Sequence, residues 1–145
     1  MTIPDELLVA AARHARACFP EECCGYMVGP DDAVDAIVPC RNAQADGEHP
    51  TNPERGPDTG YVIAGAELLA FARTFDGPRP ARVVYHSHTN GRAYFSEVDR
   101  ANARLAAFPV DHLVIGVTAA GATEAALFAG AEFREIARWP GAMLG

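Results

Sequence analysis

The stretch Ala81-Arg82-Val83-Val84-Tyr85-His86-Ser87-His88, running on through Thr89-Asn90-Gly91-Arg92-Ala93-Tyr94-Phe95 to Ser96-Glu97-Val98-Asp99, decides how this chain reads. Val83, Val84 and Tyr85 in a row mark a buried strand over Ala81–Tyr85. Two histidines follow at positions i and i+2. On a strand such residues leave the same face, and a rise of about 3.3 Å per residue sets their Cβ atoms about 6.5–7 Å apart. Two imidazoles at that separation can converge on one metal ion. After an irregular loop, Ser96–Phe108 has helical spacing, with Val98, Ala101, Leu105 and Ala106 expected to face inward. Ser-x-x-acid ahead of a helix is the N-terminal capping pattern. Positions i and i+3 also share a helix face, so Asp99 can turn toward a metal while Ser96 stays beside it. The two uses are compatible.

Upstream of this stretch, Ile3–Phe19 has a helical apolar face of Leu7, Leu8, Ala11, Ala12 and Ala15, with Thr2 or Asp5 as cap and Pro20 as terminator. Cys23–Val28 reads as a strand closed by Gly29-Pro30, and Ala33–Val38 as its hairpin partner. Arg41–Gly60 is a long polar stretch; connections of that length are uncommon in small domains and often functional. Tyr61–Ile63 is expected to be extended. Gly65–Phe75 is expected to be helical, with Leu68, Leu69, Ala72 and Phe75 on one side. Downstream, His112–Val117 and Thr123–Phe128 read as strands, Glu132–Arg138 follows, and the tail from Trp139 looks irregular. This alternation implies an α/β domain, a mixed β-sheet flanked by helices, spanning 1–145 as one unit.

Composition narrows the function. The 145 residues are 49% hydrophobic and 21% charged, ordinary globular usage. No apolar run nears the roughly 20 residues of a membrane span, and no basic segment precedes Leu7–Ala12, so neither a membrane span nor a signal peptide is expected. A net charge of −7 argues against nucleic acid as a partner. Cys18, Cys23, Cys24 and Cys40 lack zinc-ribbon spacing and read as reduced, mostly buried thiols of a cytoplasmic protein. All 12 basic residues are arginine. With no lysine present, the chain offers no side-chain amine for conjugation. His14 is expected to be solvated, His49 lies in the polar stretch, and His112 is expected to pack.

Two histidines and one carboxylate leave a fourth tetrahedral position open, the ligand count of a catalytic zinc site. Such a site also needs a group to move protons between water and a leaving amine. The candidates are the carboxylates in Pro20-Glu21-Glu22-Cys23-Cys24-Gly25.

Taken together, His86-x-His88, seven intervening residues, Ser96-x-x-Asp99, and Pro20-x-Glu22-x-Cys24-Gly25 ahead of a strand resemble the JAMM (MPN-plus, Mov34/PAD-1) metallopeptidases, in their short prokaryotic form. The resemblance implies a cytidine-deaminase-like MPN fold. It implies one Zn²⁺ per chain on His86, His88 and Asp99. Glu22 would orient and deprotonate the attacking water and then protonate the amine, with Glu21 the second choice. Ser96 would hydrogen-bond the oxyanion. Thr89 and Phe95 stand where family members usually carry proline, a departure that touches the loop's shape and not the ligand set.

The activity so implied is hydrolysis after the C-terminal glycine of a ubiquitin-like or sulfur-carrier protein, with the carrier's tail adding to a sheet edge. The alternative is a non-catalytic MPN scaffold or interaction module, which generally lacks the ligands present here. A zinc deaminase would need His-x-Glu and Pro-Cys-x-x-Cys, and neither occurs.

Overall fold

The computed structural model describes residues 1–46 and 61–145. Its six strands form one mixed sheet in the order β2-β1-β3-β4-β5-β6. Helix α1 (Asp5–Cys18) precedes the hairpin β1 (Cys24–Val28) and β2 (Ala36–Cys40). Helix α2 (Gly65–Arg73) leads to β3 (Ala81–His88), α3 (Glu97–Ala106), β4 (Asp111–Thr118), β5 (Gly121–Ala129) and β6 (Arg134–Pro140). Every adjacent pair is antiparallel except β3 and β4, which run parallel across the α3 crossover. His49 and most of Arg41–Gly60 lie outside the described residues.

Side-chain alternation divides the sheet into two faces. Val83 and Tyr85 join Leu7, Leu8, Ala11, Ala12 and Ala15 of α1 in the main core, as the helical spacing requires. Val84 faces the other way and packs with Cys24, Tyr26 and Phe71 beneath α2. On the same side Phe95, Val114, Ala126 and Phe128 form a third cluster. The period of two that separates Val83 from Val84 therefore carries His86 and His88 to the α2/α3 face.

Several local expectations are corrected. Neither Thr2 nor Asp5 caps α1: Pro4 holds that position without a side-chain bond, and Thr2 forms a parallel bridge with Ala33. That bridge occupies Ala33 and starts β2 later, so the hairpin pairs Cys24 with Cys40 and Val28 with Ala36. His14 is half-buried, its Nδ1 2.7 Å from the Tyr85 hydroxyl. Burial lowers its pKa. Leu68 and Leu69 of α2 are exposed, and Phe71 is the buried anchor, edge-on to Tyr26, Phe75 and Phe108. Ala101, Leu105 and Ala106 of α3 are exposed as well, Leu105 by 64%. This helix is docked through its first turn, where Asp99 is buried, rather than along an apolar stripe. Trp139 and Pro140 continue β6 instead of forming an irregular tail. An edge strand tolerates a terminal proline because no ladder donor is lost there.

Gly25, part of the motif before β1, has a packing reason. A Cβ there would sit 2.5 Å from the Tyr85 ring and hydroxyl. Gly25→Ala is expected to destabilise the protein by about 1–3 kcal/mol through overpacking, measured as a lower midpoint in urea unfolding. An unchanged midpoint would mean that Tyr85 moves aside at no cost.

Candidate metal centre

His86 and His88 lie inside β3, which runs on to His88 rather than stopping at Tyr85. Both imidazoles are buried on the α2/α3 face. Asp99 reaches them from the first turn of α3, where Ser96 is the N-cap. The Ser96 hydroxyl oxygen accepts from Asp99 N at 3.0 Å, and Ser96 N donates to Asp99 Oδ2 at 3.0 Å. The capping and site readings of Ser96-x-x-Asp99 thus coexist: the cap itself aims Asp99 Oδ2 at the histidines.

His86 Nε2 and His88 Nε2 are 3.2 Å apart, and Asp99 Oδ2 is 3.2 Å from the first and 3.0 Å from the second. The three donor atoms form a nearly equilateral triangle that could hold a metal ion. A tetrahedral zinc centre with bonds of about 2.0–2.1 Å separates its ligand atoms by about 3.3–3.4 Å, so the residues present fit that ion. Burial works against ionisation of Asp99, but the charge of and hydrogen bonds from the two imidazoles prevail and hold its carboxyl well below the usual carboxylate range. A divalent cation supplies the same positive charge while leaving both imidazoles neutral. The backbone carbonyl of Arg92, 3.2 Å from His88 Nδ1, accepts the proton that commits Nε2 to the centre.

Glu22 and Glu21 separate cleanly. Cys24 pairs with His86 across β1 and β3. Cys23 extends the ladder, its N–H donating to Ser87 Oγ at 2.8 Å and its carbonyl accepting from Ser87 N at 3.2 Å. Carried one residue further, that register would put Glu22 on the same face as Cys24 and the two histidines. Glu22 is buried at 6% exposure, whereas Glu21 is exposed.

Four positions that the sequence reading left without a role complete the surroundings. Ser87, between the histidines, clamps β1 in register. Asn42 donates Nδ2 to the Glu22 carbonyl at 3.0 Å and accepts from Val62 N at 3.1 Å. It thereby draws the Tyr61 segment to Glu22. The Tyr61 ring then stacks on His86 at 4.4 Å. Burial first, and then the charge of Asp99, push its phenol well above the ordinary tyrosine value. Tyr94 sits edge-on to His88 at 4.7 Å. No spacing rule links residues 42, 61, 87 and 94; only the fold joins them. His112 packs between Phe95 and Phe133. Burial lowers its pKa to about 4, with the nearby His86 acting in the same direction. An apolar groove of about 310 Å³ opens beside Tyr61 and His112, between Leu68 and Phe71 of α2 and Leu105 of α3.

Among known proteins, residues 4–129 match the family of prokaryotic homologs of the JAB domain, Prok-JAB. The CysO-cysteine peptidases of Mycobacterium bovis and Mycobacterium tuberculosis are 32% identical over 117 residues, covering 79% of this chain and 71% of theirs. A JAB1/MPN domain protein of Archaeoglobus fulgidus superposes with a TM-score of 0.55 at 15% identity, over 94% of this chain and 95% of its own. A protein of Salinibacter ruber reaches 0.62 at 23% identity, over 96% and 88% respectively. At such identities these two establish the fold alone, a JAB1/MPN arrangement. Likeness to peptidases over most of both chains supports a peptidase-like role. The extent of the family match, with the shared fold and the His-His-Asp triangle, shows that this chain belongs to the short prokaryotic JAMM/MPN family.

Proposed function

We propose that this protein is a zinc-dependent metallopeptidase that hydrolyses the amide bond after the C-terminal glycine of a sulfur-carrier protein, releasing an amino acid. The triangle of His86 Nε2, His88 Nε2 and Asp99 Oδ2 carries this reading. The name of the mycobacterial relatives, CysO-cysteine peptidases, supports cysteine on a carrier protein as the substrate class. Four cysteines without a disulfide support a reducing, cytoplasmic setting. No helix of the described residues is long and apolar enough to cross a membrane.

His86, His88 and Asp99 would hold the zinc, which when bound would polarise the scissile carbonyl and make water more acidic. Glu22, buried two residues ahead of β1, is the group that takes the proton from the attacking water. As the C–N bond breaks, the same carboxyl returns a proton to the departing amine. Ser96 Oγ already accepts the Asp99 N–H. Its own O–H is therefore available to donate to the oxyanion. The sheet edges are β2 and β6, each at least two strands from β3. The groove beside Tyr61 lies nearer, and it takes the carrier's extended tail in place of the edge addition expected from sequence.

Incubating the zinc-loaded protein with a carrier–cysteine conjugate should give carrier ending in a free glycine and cysteine, seen by intact mass. No mass change with zinc bound would overturn the activity. Ser96→Ala is expected to cost about 2.7–4 kcal/mol of transition-state stabilisation, as for one oxyanion donor. The lost cap should cost about 1 kcal/mol of stability. Paired turnover and unfolding measurements separate the two: lower stability at full turnover would leave Ser96 as a cap alone.

A further inference from the structure

We propose that Arg92, presented with Tyr94 on the loop after β3, binds the α-carboxylate of the amino acid that hydrolysis releases. The site thereby selects a leaving group joined through its α-amine and carrying a free carboxylate. This deepens the peptidase reading above and rests on it.

The triangle lies between two aromatic rings, Tyr61 on His86 and Tyr94 on His88. Tyr61 also lines the apolar groove of about 310 Å³. Beside His88 the loop after β3 carries a charge instead. There the Arg92 guanidinium carbon stands 5.6 Å from the Tyr94 ring centroid, a cation–π contact. A substrate whose tail lies in the groove beside Tyr61 and His86 would present its leaving group to His88 and the loop that carries Tyr94 and Arg92.

Arg92 is exposed, and no carboxylate among the described residues lies within ion-pair distance of it. The acid whose charge it feels, Glu124, is already engaged: Oε2 accepts Ala93 N at 2.8 Å and Oε1 pairs with Arg138 at 2.9 Å. In a chain of net charge −7, an uncommitted guanidinium beside the site is a local attractor for an anion.

The platform beneath it is held from several sides. Arg92 N donates to Asn90 Oδ1 at 3.0 Å, and Arg92 O receives His88 Nδ1. The Thr123 hydroxyl donates to Gly91 O, and Arg138 Nη2 donates to Ala93 O at 2.8 Å. Gly91 takes φ +78°, a left-handed turn suited to glycine. The backbone that presents the guanidinium is thus tied to a proposed zinc ligand.

Substrate chemistry supplies the selection. In an amino acid linked through its α-amine, the carboxylate carbon is two bonds from the scissile nitrogen, about 2.5 Å away. A lysine side chain joined through its ε-amine has only methylenes there. Arginine matches a carboxylate with two parallel N–H donors, and a site built to bond a polar group discriminates against a substrate that lacks it.

The test uses zinc-loaded protein carrying Glu22→Gln, so that peptides bind without turnover. The probes are an acetylated peptide ending Gly-Gly-Ser as the free acid and the same peptide as its C-terminal amide, titrated calorimetrically. With Arg92 present the acid should bind about tenfold more tightly than the amide. With Arg92→Gln added, the ratio should fall to within about twofold, while Arg104→Gln, an exposed arginine packed on Phe133, should keep it. Because all variants hold the same zinc, a preference due to carboxylate on the metal survives Arg92→Gln and overturns the proposal. So does equal binding, or no binding of either peptide at the highest concentration. Hydrolysis of the two peptides by the unsubstituted protein separates this from the underlying reading. Acid-selective binding without hydrolysis removes the peptidase and keeps the carboxylate site; hydrolysis without acid selectivity does the reverse.

Discussion

His88→Ala and Asp99→Ala should each purify without zinc, where the unsubstituted protein should hold about one zinc per chain. Each removes one corner of a triangle whose edges are 3.0–3.2 Å, and the two donors that remain do not make a tight site. Hydrolysis should be lost with the metal. The two variants should differ in stability. His88→Ala keeps the helix cap, whereas Asp99→Ala also removes the acceptor of Ser96 N and so should lose about 1 kcal/mol more in apo-protein unfolding. His14→Asn, on the α1 side of the sheet, should keep its zinc. Metal analysis of the dialysed proteins decides the matter: zinc retained in both triangle variants would put the ion elsewhere.

Glu22→Gln should keep zinc and lose turnover by about 10²–10⁴-fold, because an amide of the same shape cannot carry a proton. Glu22 is buried, so the exchange preserves packing while removing only the basic oxygen. Glu21→Gln should remain active, since that side chain is exposed and precedes the extended ladder. Single-turnover rates with the carrier–cysteine conjugate, read beside zinc content, check both. If Glu21→Gln were the inactive variant, the strand register argued from Cys23 and Ser87 would be wrong.

The two glutamates illustrate what a linear motif transmits. Sequence left both carboxylates as candidates, and likeness to a family favoured Glu22. The structure supplies a physical basis for the choice in the pairing of Cys24 with His86, since a shift of one residue would exchange the faces of Glu21 and Glu22. The helices teach a complementary lesson. Periodicity located α2 and α3 but turned Ala101, Leu105 and Ala106 of α3 inward where they are exposed. Leu68 and Leu105 border a groove open to solvent, Leu69 is exposed, and Phe71 and Asp99 do the anchoring. An amphipathic pattern records that a face is apolar, not what covers it.

Sequence alone determined the parts whose physics is local. The α/β alternation, the α1 core face, the paired histidines on one strand face and the Ser96–Asp99 cap all follow from spacings of two, three or four residues. Tertiary structure alone decided whatever depends on distant segments. Strand order places β1 beside β3 and so pairs Cys24, two residues after Glu22, with His86. Asn42 ties Glu22 to the segment that stacks Tyr61 on His86, and the loop bearing Arg92 is fixed by Thr123 and Arg138. These contacts join residues from about 20 to 60 positions apart. No periodicity in a chain encodes such pairings, because they are set when the sheet closes and its faces choose their partners.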